Sequence, residues 1–387
     1  MGHHDTPGRY LPGDSRGLGQ EDGKVKVLIT GVCGYVGSRI AARLAEASRG
    51  MEIFGVDNLS RRGSETNLPF LEQRGVRFFH GDVRLAEDLD ALPQADWVVD
   101  CAANPSVMAG LAPGTATPQQ LTAINLGGTL NLLEYCRRRV SGLVLLSTSR
   151  VYSGSALNAI PFKKTATRFT PAGRGLPPGF TARGVAESFS TAAPLSLYGA
   201  TKLASEVMAQ EYACGFDFPL WINRSGVIGG PGQFGKADQG IFSYWACAYA
   251  LGRRPKFIGY GGRGLQVRDW VSAEEVAELI LKQLKSPSAK APRTVNIGGG
   301  QDNSMSLREL DDFCRDFFGA SGKTAGVAAT RPNDVPYYVT DAALARRHWG
   351  WNPSESNGAR LERTCRWALE NQELIKRWWD GEKTATT

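Results

Sequence analysis

Residues 24–37 read Lys24-Val25-Lys26-Val27-Leu28-Ile29-Thr30, then Gly31-Val32-Cys33-Gly34-Tyr35-Val36-Gly37. The first seven form an apolar, β-branched run of the kind that makes a buried strand. Three glycines follow at once, and beyond them Ile40, Leu44 and Ala47 fall on one face at helical spacing. Strand, glycine turn and helix in direct succession describe a dinucleotide-binding βα unit. Gly31 allows the tight turn, Gly34 lets backbone approach a pyrophosphate, and Gly37 permits close helix packing. With Tyr35 and Val36 they open a helix whose free N–H groups and positive dipole end face the phosphates.

Outward from this unit the pattern repeats. Met51–Val56 ends in Asp57-Asn58, Val76–His80 in Gly81-Asp82, and Asp96–Asp100 in Cys101-Ala102-Ala103-Asn104. A long helix is expected from about Pro118 to Arg139, followed by strands at Gly142–Ser147 and Leu220–Arg224. Strands alternating with helices predict an α/β fold, a Rossmann-type doubly wound parallel sheet with its site outside the carboxyl ends of the strands. Residues 24–225 form the dinucleotide-binding domain in this reading, with a Gly-, Pro- and Ser-rich insertion at 152–196 near the substrate. Residues 265–298 return to that domain. Residues 226–264, with an apolar helix near Ile241–Ala250, and 299–387 form a smaller C-terminal substrate-binding lobe. Residues 1–23 carry no apolar core and read as a flexible tail rather than a secretory signal.

The composition is that of an ordinary globular enzyme, with 42% hydrophobic and 21% charged residues among 387. No stretch reaches the roughly 20 apolar residues of a membrane-crossing helix. The seven cysteines show no Cys-x-x-Cys spacing, so neither a disulfide framework nor a metal site is expected, and a reducing cytoplasm is the simplest setting. The net charge is +7, yet its basic residues are scattered apart from short runs such as Arg137-Arg138-Arg139 at a helix end. That distribution predicts no nucleic-acid partner and suits an anionic small molecule.

Asp57 lies 20 residues after Gly37, where a carboxylate accepts hydrogen bonds from the adenosine ribose and repels a 2′-phosphate. NAD is the expected cofactor on that ground, although Arg61 and Arg62 follow closely and would attract such a phosphate. Asp82 is placed to contact adenine or simply to close a turn. Of the 11 tyrosines only Tyr198 has a lysine, Lys202, four residues downstream. On a helix the two share a face. A phenol with a pKa of about 10 becomes a usable base when an ammonium and a cationic nicotinamide stabilise the phenolate. Alone, the pair reads as an ordinary surface pair; beside the glycine turn it reads as acid–base machinery. Ser147-Thr148-Ser149 ends the fifth strand where a hydroxyl meets a substrate oxygen, or only caps the next turn.

Together these motifs resemble the extended short-chain dehydrogenase/reductases that act on nucleotide sugars. The shared features are Gly31–Gly37, Asp57-Asn58, Cys101-Ala102-Ala103, Ser147-Thr148-Ser149-Arg150-Val151-Tyr152, Tyr198-x-x-x-Lys202, Gln266-Val267-Arg268-Asp269-Trp270 and Val295-Asn296-Ile297-Gly298-Gly299, covering roughly residues 24–355. The resemblance implies Thr148, Tyr198 and Lys202 as catalytic residues. It adds Asn58, Asp82, Val83, Ala102 and Ala103 to the cofactor contacts. In the family's 4,6-dehydratases an Asp-Glu pair follows the threonine; Ser149 and Arg150 stand here and cannot supply that acid–base pair, which disfavours elimination. Asn104-Pro105-Ser106-Val107, the insertion before Tyr198, Gly232-Gln233-Phe234 and Asp238-Gln239-Gly240 resemble the CDP-paratose 2-epimerase group, while Ser153 departs from the usual glycine. The resemblance thus implies epimerisation of a nucleotide-diphosphate sugar through a keto intermediate. Arg268 is implied as a diphosphate partner, and Asn104, Ser149, Arg150, Arg224, Gln233 and Gln239 as further substrate contacts. A homodimer is the family expectation. A UDP-glucose or UDP-glucuronate 4-epimerase is the alternative enzyme, and a non-catalytic NAD-sensing regulator the alternative of another class.

Overall fold

The structure, a computed structural model, describes residues 23–111, 115–139, 141–236, 239–287 and 290–384. The expected tail up to residue 22, and Asp238 of the loop motif, lie outside the described residues. Seven strands form one sheet: β1 (Val25–Thr30), β2 (Met51–Asp57), β3 (Arg77–His80), β4 (Trp97–Asp100), β5 (Gly142–Thr148), β6 (Leu220–Ser225) and β7 (Thr294–Ile297). Their order is β7-β6-β5-β4-β1-β2-β3 and every pairing is parallel. The order reverses between β1 and β4, the switch point where such sheets bind ligands. There the Thr30 hydroxyl donates to Asp100 Oδ1 at 2.7 Å and receives the N–H groups of Cys101 and Ala102.

Apolar residues cover both faces. On one, Ile40 and Leu44 of α1 (Tyr35–Ala47) meet Val276 and Ile280 of a helix over Ala273–Lys285. On the other, Leu132 and Leu133 of α2 (Gly128–Arg139) meet Ala209 and Ala213 of α3 (Leu197–Gly215). Each such large aliphatic side chain taken from water contributes about 1.5–3 kcal/mol, enough in sum to fix the helices against the sheet.

The helix expected from Pro118 to Arg139 is present without a gap, α2 being its last part, and takes one π-helical turn at Ala123–Gly127; two other expectations need correction. The strand Val267–Val271, assigned to the segment returning to the main sheet, pairs instead with Val227–Ile228, Ser304–Ser306 and Tyr337–Tyr338 in a smaller sheet. The insertion 152–196 is not an open loop: it carries two short hairpins, and its Leu157, Ile160, Val185 and Phe189 are buried with Val335 and Tyr338. The rest of the second lobe gathers around Phe242, Trp245, Trp270, Leu310 and Leu361.

Candidate active site

The glycine turn is built as its residues require. Gly31 has φ +61°, and a Cβ there would lie 2.9 Å from Ala102 Cα; a Cβ at Gly37 would lie 2.2 Å from the Gly31 carbonyl oxygen. Only glycine lets α1 pack this closely on the turn. Asp57 braces it from the end of β2, accepting the Cys33 N–H at 3.0 Å and the Leu59 N–H at 2.8 Å. Burial raises the Asp57 pKa above the ordinary carboxylate value. Asn58 donates to Asp82 at 2.8 Å, and Arg84 pairs with the same carboxylate at 2.6 Å, holding its pKa down to about 2. Val83 is buried against Gly128. Asp57, Asn58, Asp82, Val83 and Ala102 support the site and are not among the residues lining the cavity in front of the turn.

That cavity, about 320 Å³, runs from Gly31, Gly34, Tyr35, Val36 and Gly37 past Ala103 to Thr148, Tyr198 and Lys202. Part of its wall joins distant segments into a clasp. Arg61 donates to Gln239 at 3.1 Å. Arg62 donates to the Arg377 carbonyl at 3.2 Å, and the Trp378 indole donates to the Arg62 carbonyl at 3.1 Å. Phe234 stacks on Trp378 with ring centroids 5.3 Å apart.

Ser196 caps α3 by accepting the Gly199 N–H at 3.0 Å. A Cβ at Gly199 would lie 2.1 Å from the Arg150 carbonyl oxygen, so the first turn of α3 lies flat on the turn after β5. Tyr198 is 9% exposed and Lys202 2%. Burial raises the Tyr198 pKa, while a hydrogen bond with the Thr148 hydroxyl and the nearby Arg150 guanidinium lower it. The sequence assigned the cationic influence to Lys202; the structure gives it to Arg150. The Lys202 side chain lines the cavity wall. A cradle that one Cβ would fill and a lysine on the wall beside it both fit a dinucleotide.

Arg150, Gln239 and Gly240 also line a second cavity, of about 160 Å³, with Lys256, Gln266, Arg268, Arg331 and Asp334. Four cations and one carboxylate on its wall make it a site for an anion. Arg268 is anchored there by Asp334 at 2.8 Å and by the Val335 carbonyl at 2.7 Å. Ser149 and Gln233 line the first cavity, and the Gln233 Oε1 is buried without a partner. Asn104 does not line either cavity: its Oδ1 receives the Ser106 N–H at 3.1 Å, and its neighbours Pro105 and Val107 form the wall. Arg224 is also misplaced by the sequence reading. It is buried and bound to Glu206 at 2.7 Å, behind the cavities rather than on them.

Sequence reasoning missed Lys256, Arg331 and Asp334, although Arg331-Pro332-Asn333-Asp334 is a turn signal flanked by charges. It also missed Asn125, whose amide donates to the Asn104 carbonyl at 3.1 Å and to Thr201 at 3.2 Å. From its π-helical turn Asn125 ties the loop after β4 to α3.

A family profile described as NAD dependent epimerase/dehydratase family matches residues 27–298. A CDP-paratose 2-epimerase of Salmonella typhi is 30% identical over 349 residues, covering 89% of this chain and 99% of that protein. A UDP-glucuronate 4-epimerase of Thermodesulfobacterium geofontis is 27% identical, covering 90% and 98%. Among solved structures, a Thermus thermophilus UDP-glucose 4-epimerase in complex with NAD is 26% identical with a TM-score of 0.70, covering 89% of this chain and 99% of that one.

Proposed function

The chain belongs to the NAD dependent epimerase/dehydratase family, and from that premise we propose that it is an NAD-dependent enzyme that inverts one carbon of a nucleotide-diphosphate sugar. NAD, which the Gly31–Gly37 turn and Lys202 would hold, would supply the hydride acceptor and donor. The residues of this chain do the rest. Tyr198, as phenolate, takes the proton of the sugar hydroxyl, and Thr148 holds the phenolate and the sugar oxygen in line. Arg150 stabilises the negative phenolate electrostatically, and Lys202 stands on the same cavity wall to hold the nicotinamide ribose. The resulting ketose turns over in the pocket, and Tyr198 returns its proton as the hydride arrives on the other face. Arg268, Arg331 and Lys256 neutralise the diphosphate, for which guanidinium forks are suited.

The observation that carries this reading is the single wall on which Tyr198, Thr148 and Lys202 meet, open to a cation-lined cavity. Ser149 and Arg150 on that wall hold no carboxylic acid with which to drive elimination. The relationship to the Salmonella protein supports a CDP-paratose/CDP-tyvelose type of 2-epimerisation; a homodimer in the cytoplasm is part of the same proposal. The UDP-glucuronate relative supports a second reading, inversion at C4 of a UDP-sugar. Incubation with CDP-paratose, UDP-glucose and UDP-glucuronate in deuterated buffer, followed by NMR, separates them. Inversion without solvent deuterium supports the ketose route and identifies the sugar. Deuterium at the inverted carbon would overturn the route, and no inversion of any of the three would overturn the substrate assignment.

A further inference from the structure

Tyr198, Lys202 and Glu206 are spaced four residues apart on α3, so all three lie on the face turned to the sheet. Glu206 has a side chain only 1% exposed and makes no contact with either cavity. It is held from two strands at once. From β6, Arg224 donates through Nε at 3.1 Å to both carboxylate oxygens and through Nη2 at 2.7 Å. From β5, the Ser147 hydroxyl donates to Oε1 in a short hydrogen bond. Ser147 adjoins Thr148, the residue that hydrogen-bonds the catalytic phenol.

The network continues beyond the pair. Arg224 lies over the Tyr152 ring with its guanidinium carbon 5.2 Å from the centroid and donates to the Glu187 carbonyl at 3.3 Å. The Tyr152 hydroxyl donates to Asn296 of β7 at 2.6 Å. Ser225 of β6 closes the inner ring by donating to the Ser147 carbonyl at 2.9 Å. Three parallel strands and the catalytic helix are therefore referenced to one buried carboxylate.

A buried ion pair is poor support for stability as such, because desolvation offsets much of its attraction. Geometry is what this one supplies. Helix α3 meets the sheet at two stations. Gly199 against the Arg150 carbonyl sets the first, beside Tyr198. Glu206 on Ser147 and Arg224 sets the second, two turns further on. Without the second station α3 keeps its apolar packing on α2 and its Asn125 bridge but loses its polar tie to β5 and β6, and the phenol shifts relative to the end of β5.

We infer that Glu206 is a positioning residue for proton transfer, its carboxylate fixing α3 on β5 and β6 so that Tyr198 stays in hydrogen-bond register with Thr148. This rests on the reading of Tyr198 as the acid–base residue and adds the device that aims it. The charged groups facing Tyr198 itself are Arg150, from the turn after β5, and Lys202, from its own helix.

Glu206→Gln alone leaves Arg224 as a buried unpaired cation and invites misfolding. The decisive variant is the double Glu206→Met/Arg224→Met, which fills the same volume without charge, with Ser147→Ala as the milder cut on the β5 side. Each is prepared as NAD-loaded protein, and the Tyr198 phenol is titrated by ultraviolet difference against the same variant carrying Tyr198→Phe. The expected result is a Tyr198 titration about one unit higher, with NAD content unchanged and a cooperative melt. With a sugar that inverts, kcat falls about tenfold while KM holds. A folded, NAD-loaded double variant with the wild-type phenol titration would overturn the inference. Full activity of Tyr198→Phe alone would instead overturn the catalytic reading beneath it, so the two failures are distinguishable.

Discussion

Replacing Thr148 by valine removes one hydroxyl and keeps a β-branched residue at the buried end of β5. In the structure Thr148 and Tyr198 line one cavity wall, where hydrogen bonding to that hydroxyl lowers the phenol's pKa against the raising effect of burial. A hydrogen bond to a charged group is worth about 1.5–3 kcal/mol, and about 1.36 kcal/mol corresponds to one pKa unit. Loss of the bond therefore raises the Tyr198 pKa. The sign is fixed: the bond favours phenolate, so its removal disfavours the base, and activity that rises with pH through the phenol pKa rises later. The acid limb of kcat/KM, which reports the free enzyme, should move to higher pH, with rates near neutrality falling about 10–100-fold. Thr148→Ser should leave the limb where it is. The assay is a pH profile of the NAD-loaded enzyme on the sugar that it inverts. The lost contact to the sugar oxygen lowers the whole curve but does not displace it, so an undisplaced limb in a folded Thr148→Val protein would refute the reasoning.

Tyr198→Phe should lower kcat by about 10²–10⁴-fold, the usual weight of a positioned acid–base group, while NAD remains bound, as checked by chromatography of cofactor released on denaturation. Gly37→Ala forces a methyl to within 2.2 Å of the Gly31 carbonyl oxygen. It should destabilise the fold by about 1–3 kcal/mol and empty the protein of NAD, read by melting temperature and the same chromatography; a wild-type melt would contradict the packing argument. Asp82, held down to about 2 by Arg84, contributes stability that is fully present above the ordinary carboxylate pKa of about 3.9 and is lost as pH falls through about 2. Asp82→Asn should therefore cost a few tenths of a kcal/mol at neutral pH, since the partner arginine is exposed, with the two melting curves converging in acid.

What was legible in the sequence was local. The glycine turn is three residues doing steric work within seven positions, and the structure's close approaches at Gly31 and Gly37 are the ones their spacing implies. Tyr198 and Lys202 were legible because helical periodicity alone puts them on one face. Arg224 was misread because its partner, Glu206, sits on a helix 18 residues earlier, and an arginine at a strand end looks the same whether it faces ligand or carboxylate. The second cavity was half hidden for the same reason. Arg150, Arg268 and Arg331 converge from the turn after β5, a strand of the smaller sheet and a loop, and no pattern in the chain records that convergence. The hairpins at 152–196 escaped because Phe162, Phe169, Phe180 and Phe189 are too sparsely spaced to show a strand period, yet tertiary packing buries or half-buries all four.

The clasp between residues 61–63 and Trp378 ties the first lobe's cofactor loop to a helix near the other end of the chain. Contacts that complete a ligand cavity act as a second ligand in the thermodynamic sense, and such coupling is reciprocal. Whatever free energy the docked C-terminal helix lends to holding the dinucleotide, the dinucleotide lends back to docking the helix. The loop at 61–63 and the helix that carries Trp378 thus report on each other: trimming that helix weakens the hold on the cofactor by the same coupling free energy by which stripping the cofactor weakens the docking of the helix.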